Sequence, residues 1–160
     1  MKTETTIDKS KWPRRGPWDS ESDKMEWTDI DTGMACLIVR GPSGALCGYV
    51  AVEESHPLYE KYYGDLWNYD TEEGTDINVH GGLTYSDFCQ EVGRICHTPE
   101  EGKPDNVWWF GFDCAHSGDI CPSYQKEDME ICGIPYTYKD VDYVTRQVES
   151  LARQLKQVEK

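Results

Sequence analysis

Met34-Ala35-Cys36-Leu37-Ile38-Val39-Arg40, then Gly41-Pro42-Ser43-Gly44, then Leu46-Cys47-Gly48-Tyr49-Val50-Ala51-Val52 is the stretch that decides the fold. Two runs rich in β-favouring residues flank a Gly-Pro-Ser-Gly turn signal, which predicts a β-hairpin with a loop longer than two residues. Further along, Val107-Trp108-Trp109-Phe110-Gly111-Phe112 predicts a third buried strand. Alternation along it puts Trp108, Phe110 and Phe112 on one face and Trp109, Gly111 and Asp113 on the other. At the C-terminus Val141, Val144, Val148, Leu151, Leu155 and Val158 recur at steps of three and four, the stripe of an amphipathic helix. It would run from Asp140 to about Gln157, roughly 27 Å. Thr137 and Asp140 resemble a capping box at its start, with Asp in place of Glu.

These elements predict an α+β fold, a small, mainly antiparallel sheet with the long C-terminal helix packed on one face. Residues 1–24 are polar and Pro-containing and read as an irregular arm, with Trp12 and Trp18 able to pin it to the body or to a partner chain. Residues 25–160 read as a single α+β domain. Asn78 to Tyr85 reads as a short strand broken by Gly81 and Gly82, Ser86 to Cys96 as a short helical turn, and Thr98 to Asn106 as a loop. The apolar stripe also fits a heptad, so a homo-oligomer through that seam stands as an alternative to burial on the sheet.

The chain carries a formal net charge of -14. Such a field repels nucleic-acid backbones and anionic membranes, so neither DNA, RNA nor a membrane is expected as a direct partner. No leader-like apolar segment opens the sequence. The seven cysteines form no C-x-x-C pair, and a cytoplasmic chain with reduced, mostly buried thiols is expected. Six Trp and ten Tyr supply large buried areas, which suits a folded chain.

Polar residues gather at the ends of two predicted strands. His80 precedes Gly81 and Gly82, and Asp113, His116 and Asp119 follow the Trp-rich strand. Three readings compete for them. As ligand-binding groups, His80, Gly81, Gly82, Tyr85, Trp109, Asp113, His116 and Asp119 would line a pocket. There aromatic faces stack on a flat heterocycle and glycine N–H groups approach an anion; Arg94, with Arg40 and Lys139, would neutralise phosphate. As metal ligands, His80, Asp113, His116 and Asp119 would hold a divalent ion that acidifies a water for phosphodiester or other hydrolysis. No cofactor is needed under the first reading. In the third, the groups satisfy one another: Asp113 accepts N–H bonds in its turn, His116 is fixed, and Asp119 caps the next turn. Catalytic residues are unassigned. Cys114, two positions before His116, is a weak nucleophile candidate because neighbours on a strand point apart.

Val79-His80-Gly81-Gly82-Leu83-Thr84-Tyr85 and Trp108-Trp109-Phe110-Gly111-Phe112-Asp113-Cys114-Ala115-His116-Ser117-Gly118-Asp119 resemble the motifs of a family of small proteins encoded by bacteriophages and their hosts. Gly48-Tyr49-Val50, His56-Pro57, Tyr143-Val144 and Glu149-Ser150-Leu151-Ala152 fit the same pattern, from about Cys36 to Leu155. The resemblance implies a phage protein in the host-cell cytoplasm rather than a mechanism. Proteins of that context often counter host defence, one route being capture of nucleotide messengers. The resulting expectation is a phage protein that sequesters a small nucleotide-like ligand. The alternatives are a metal-dependent phosphodiesterase or other hydrolase, and an acidic inhibitor that covers a basic surface on a host factor.

Overall fold

The computed structural model describes residues 1–90, 95–125 and 135–158. The Gly41–Gly44 turn does join two strands, β3 (Ala35–Arg40) and β4 (Leu46–Val52). Around this hairpin is built a six-stranded sheet with β1 (Lys2–Glu4), β2 (Lys24–Thr28), β7 (Tyr85–Phe88) and β8 (Trp108–Asp113). The order is β1-β2-β3-β4-β8-β7, and every neighbouring pair is antiparallel. Two-residue strands β5 (Trp67–Asn68) and β6 (Glu73–Gly74) form a separate small hairpin. The α+β architecture is thus a mainly antiparallel sheet with one C-terminal helix, α1 (Val141–Val158), packed on it.

The two faces of the sheet bury different sets of residues. Cys36, Ile38, Val50, Phe110 and Phe112 face α1, where Val144, Val148, Leu151, Ala152 and Leu155 are also buried. Leu37, Val39, Tyr49, Ala51 and Trp109 make a second cluster on the opposite face. The period of two read along Trp108–Asp113 matches this division. Gly48 lets the helix come close: a Cβ there would sit 2.6 Å from Val148 Cγ2 and 2.5 Å from the Phe112 ring. The sheet therefore takes up Val144, Val148, Leu151 and Leu155 of the apolar stripe of α1.

Local details differ from the sequence reading. Asp140, not Thr137, caps α1: its Oδ1 accepts from Tyr143 N at 2.9 Å. Thr137 is instead bridged to Asp119 in parallel register. Residues 78–80 are not a strand, because helix side chains satisfy their backbone. Gln154 Oε1 accepts from Asn78 N at 2.8 Å, Gln154 Nε2 donates to Asn78 O at 2.8 Å, and Gln147 Oε1 accepts from His80 N at 2.9 Å. Of the helical turn expected over Ser86–Cys96, residues 91–94 lie outside the described residues; the rest belong to β7, an antiparallel Gln90–Ile95 bridge and a Cys89–Cys96 disulfide. Reduced thiols were expected throughout, yet two of the seven are paired because the bridge sets these cysteines opposite each other. Cys132 lies outside the described residues.

At the N-terminus Lys2–Glu4 supply the edge strand, and Trp18 is buried with its ring edge-on to Tyr138 at 5.0 Å. Arg40 is consumed by the fold rather than free for phosphate. It is 4% exposed, donates to Asp23 Oδ1 at 2.8 Å and to Tyr138 Oη at 2.8 Å, and meets Gly44 and Ser22 carbonyls.

Candidate functional site

His80, Asp113, His116 and Asp119 come together where the turn after Val79, the turn after β8 and the start of α1 meet. The sequence bends after Val79 because Gly82 N donates to Val79 O at 2.9 Å, with Gly81 and Gly82 both at positive φ (69° and 78°). Gly81 carries a second constraint. A Cβ on it would lie 2.3 Å from His116 Cδ2, so the His116 ring rests against the bare backbone. After β8, Asp113 Oδ1 accepts from Ala115 N at 3.0 Å, and Asp119 Oδ2 accepts from His116 N at 3.0 Å. Two carboxylates thus hold the Cys114–Asp119 turn by its own amides.

Asp119 is the centre of the cluster. It is 2% exposed; its Oδ2 lies 2.8 Å from His80 Nε2 and its Oδ1 2.9 Å from Lys139 Nζ. Burial pushes its carboxyl pKa up, but the hydrogen bonds from His80, Lys139 and the His116 amide outweigh that and hold it below the ordinary carboxylate range. His80 is engaged at both ring nitrogens, since Nδ1 lies 2.7 Å from Tyr143 Oη. An ionised Asp119 accepts only, so His80 Nε2 carries a proton. In the neutral ring Nδ1 then accepts from the tyrosine hydroxyl. Burial raises the Tyr143 phenol pKa further, which keeps it a donor.

Asp113 and His116 form the outer, wetter half. Thr84 Oγ1 donates to Asp113 Oδ2 at 3.0 Å. His116 Nε2 faces Asp113 Oδ1 at 3.1 Å, an ion-pair distance without hydrogen-bond alignment, with side chains 35% and 30% exposed. The His80 and His116 ring centres are 6.1 Å apart.

Other expected members are placed elsewhere. Trp109 is fully buried on the sheet face away from α1, its Nε1 3.3 Å from Cys89 Sγ. It is not the neighbour of Asp113 that shared parity suggested, because the Tyr49 ring fills the space over the intervening Gly111. Tyr85 packs edge-on to Tyr49 at 5.3 Å in the same layer. Arg94 lies outside the described residues. Cys114 is no nucleophile: it is 1% exposed, and burial, reinforced by the Asp119 charge, raises its thiol pKa.

The metal reading of the cluster also loses ground. Both Asp119 oxygens are taken, one by a lysine ammonium that a cation would have to displace. Among the described residues, metal-ligating atoms gather within 4.8 Å of one another at Cys89, Cys96, His97 and Asp105 instead. What sequence reasoning missed was the contribution of α1. Tyr143, Gln147 and Gln154 form a polar row beside the apolar stripe, and that row, at helical spacing, was the available signal.

A cavity of about 290 Å³ uses Gly81 and Gly82 as one wall. Its other walls include Tyr63, Trp67, Tyr69, Thr75 and Asp76, while His80, Asp113, His116 and Asp119 do not line it. Tyr69 is 85% exposed at its mouth. Compared with known protein families, curated proteins and solved structures, the chain matches none. Among the described residues no helix is long and apolar enough to cross a membrane.

Proposed function

We propose that this protein captures a small, flat, nucleotide-like ligand without transforming it, in the aromatic cavity beside Gly81 and Gly82. One observation carries the reading: the two inner groups behind the turn, His80 and Asp119, are fully engaged by their neighbours. His80 has both nitrogens engaged and Asp119 both oxygens, an arrangement that holds a backbone in place rather than one that moves protons to a substrate. What the cluster holds in place is the glycine wall of the cavity. Trp67, Tyr63 and Tyr69 offer faces for stacking, worth about 1–3 kcal/mol per base. Thr75 and Asp76 offer acceptors to the polar edge of a heterocycle, and a charged tail would run past Gly81 toward His116.

The motif resemblance supplies the setting: a phage-encoded protein acting in the host cytoplasm, where holding a nucleotide messenger would blunt a defence response. The test is a panel of nucleotides and cyclic oligonucleotides read by thermal shift, followed by chromatography of the ligand released on denaturation. At a ligand concentration about 100 times Kd, binding adds about 2.7 kcal/mol, a rise of roughly 5–11 °C for a chain of this size. The ligand should be recovered intact, and Trp67→Ala should remove the shift. Recovery of cleaved product would replace capture with hydrolysis. A flat panel with salt-sensitive retention of a basic host protein would replace it with the acidic inhibitor.

A further inference from the structure

We propose that Cys89, Cys96, His97 and Asp105 form a site for zinc, or a similar thiophilic divalent ion, when the two cysteines are thiols, and that this state and the Cys89–Cys96 disulfide exclude each other. One ligand atom from each residue lies within 4.8 Å of the others. Two sulfurs, an imidazole nitrogen and a carboxylate oxygen are a donor set that zinc takes in tetrahedral geometry. With metal–sulfur bonds of about 2.3 Å, tetrahedral ligand atoms sit about 3.8 Å apart, a spacing side-chain rotation can supply here.

His97 provides the independent sign. Its side chain is 4% exposed and neither ring nitrogen has a hydrogen-bond partner, Asp105 Oδ1 standing 3.4 Å from Nε2. A buried imidazole left this way costs free energy that a ligand would recover. Its backbone is fixed on both sides by β2. Lys24 Nζ donates to Cys96 O at 2.8 Å, and the Glu26 carboxylate accepts from Thr98 N at 3.0 Å and from its hydroxyl at 3.0 Å. The Trp109 indole N–H points at Cys89 Sγ from 3.3 Å, a donor that favours thiolate over thiol. Trp109, misplaced by the sequence reading beside Asp113, thus belongs to this second site. The four residues also line a hollow of about 630 Å³, which gives an ion a route in.

The chemistry balances in two steps. A dithiol reductant transfers two electrons and two protons to the disulfide, leaving two protein thiols and its own disulfide. Zn²⁺ then displaces the two thiol protons and is held by two thiolates, His97 and Asp105. A disulfide-forming oxidant takes two electrons from the thiolates, closes the Cys89–Cys96 bond and expels the ion.

Cobalt reports the site. The full-length chain, reduced by a dithiol that is then removed without air, should bind one Co²⁺ with thiolate-to-cobalt charge-transfer bands and the intense visible bands of a tetrahedral ion. Zn²⁺ should displace it, and diamide should release it as the disulfide re-forms. Cys89→Ser should abolish the charge-transfer bands, and Cys47→Ser should leave them unchanged. Asp105 is 62% exposed at its side chain, so Asp105→Asn tests the site without threatening the fold. It should weaken binding roughly 10–100-fold, at least what losing a partner of a metal ligand costs. Uptake without charge-transfer bands, equal affinity in the Cys89→Ser chain, or no uptake by the reduced, folded chain would each overturn the proposal.

Discussion

Asp119→Asn is the sharpest probe of whether the His80 cluster is scaffolding. The carboxylate is 2% exposed and serves three donors: His80 Nε2 at 2.8 Å, His116 N at 3.0 Å and Lys139 Nζ at 2.9 Å. The amide keeps one acceptor for His80 and the His116 amide, but turns its NH₂ toward the lysine. Breaking a buried ion pair costs about 3–5 kcal/mol. Lys139 is 16% exposed at its side chain and can turn to water, which brings the expected loss to about 2–3 kcal/mol. For a chain of this size that is a fall in Tm of roughly 4–12 °C. Because the folded-state pKa of Asp119 is depressed, its contribution is fully present above the unfolded carboxylate pKa and fades as pH falls through the folded value. Urea unfolding at neutral pH and at successively lower pH should therefore show the gap between wild type and variant closing on acidification. A variant that loses less than about 1 kcal/mol yet abolishes ligand binding would refute the scaffold argument and make Asp119 a ligand-facing group.

Other expectations rest on separate contacts. Gly82→Ala has open space but a φ of +78°, so it should lose only about 1–2 kcal/mol for left-handed backbone. Gly81→Ala must also displace the His116 ring and should lose clearly more; equal urea midpoints for the two variants would contradict the packing described. Asp23 accepts from Thr6 N, Ile7 N, Lys9 and Arg40. Burial opposes its charge, but these donors hold its pKa below the ordinary range. Its stabilisation should likewise be complete above the unfolded carboxylate pKa and vanish on acidification, and Asp23→Asn should flatten the acid limb of a stability–pH curve. Burial pushes the Cys36 thiol up to about 12 and that of Cys114 up as well. Neither should react with iodoacetamide in the native chain at neutral pH, while both should in urea; mass mapping of alkylated peptides decides it.

The sequence revealed local order far better than it revealed meetings between distant segments. The β3–β4 hairpin, the two-faced β8 strand and the α1 stripe each follow from a period within a single run, and the sheet-with-helix architecture follows from their sum. The Ser86–Cys96 error has the same origin in reverse. The strand β7 pairs with, β8, lies about twenty residues on, and nothing within the segment records that a strand awaits it. His80, Asp113, His116 and Asp119 could be grouped because each sits at the end of a readable element. Trp109 and Tyr85 were placed with them by parity alone, and parity gives a face without giving a distance along it.

The division of labour between the two polar sites follows from what surrounds each. Around His80, α1 brings a tyrosine and two glutamines and the 137–139 segment brings a lysine, so both His80 nitrogens and both Asp119 oxygens are engaged and the turn is fixed without a ligand. Around His97, β2 spends Lys24 and Glu26 on the backbone of Cys96 and Thr98, and the imidazole nitrogens are left without a hydrogen-bond partner. A histidine that the fold satisfies at both ring nitrogens belongs to the architecture, and one that the fold buries and positions but leaves unsatisfied at both is the better place to look for a bound ion. Exchanging Gln147 for Met tests the first half of that argument. It removes the acceptor of the His80 amide and should cost about 1–2 kcal/mol in urea unfolding while leaving cobalt uptake at the cysteine site unchanged. Loss of uptake without loss of stability would show that the two sites are not independent.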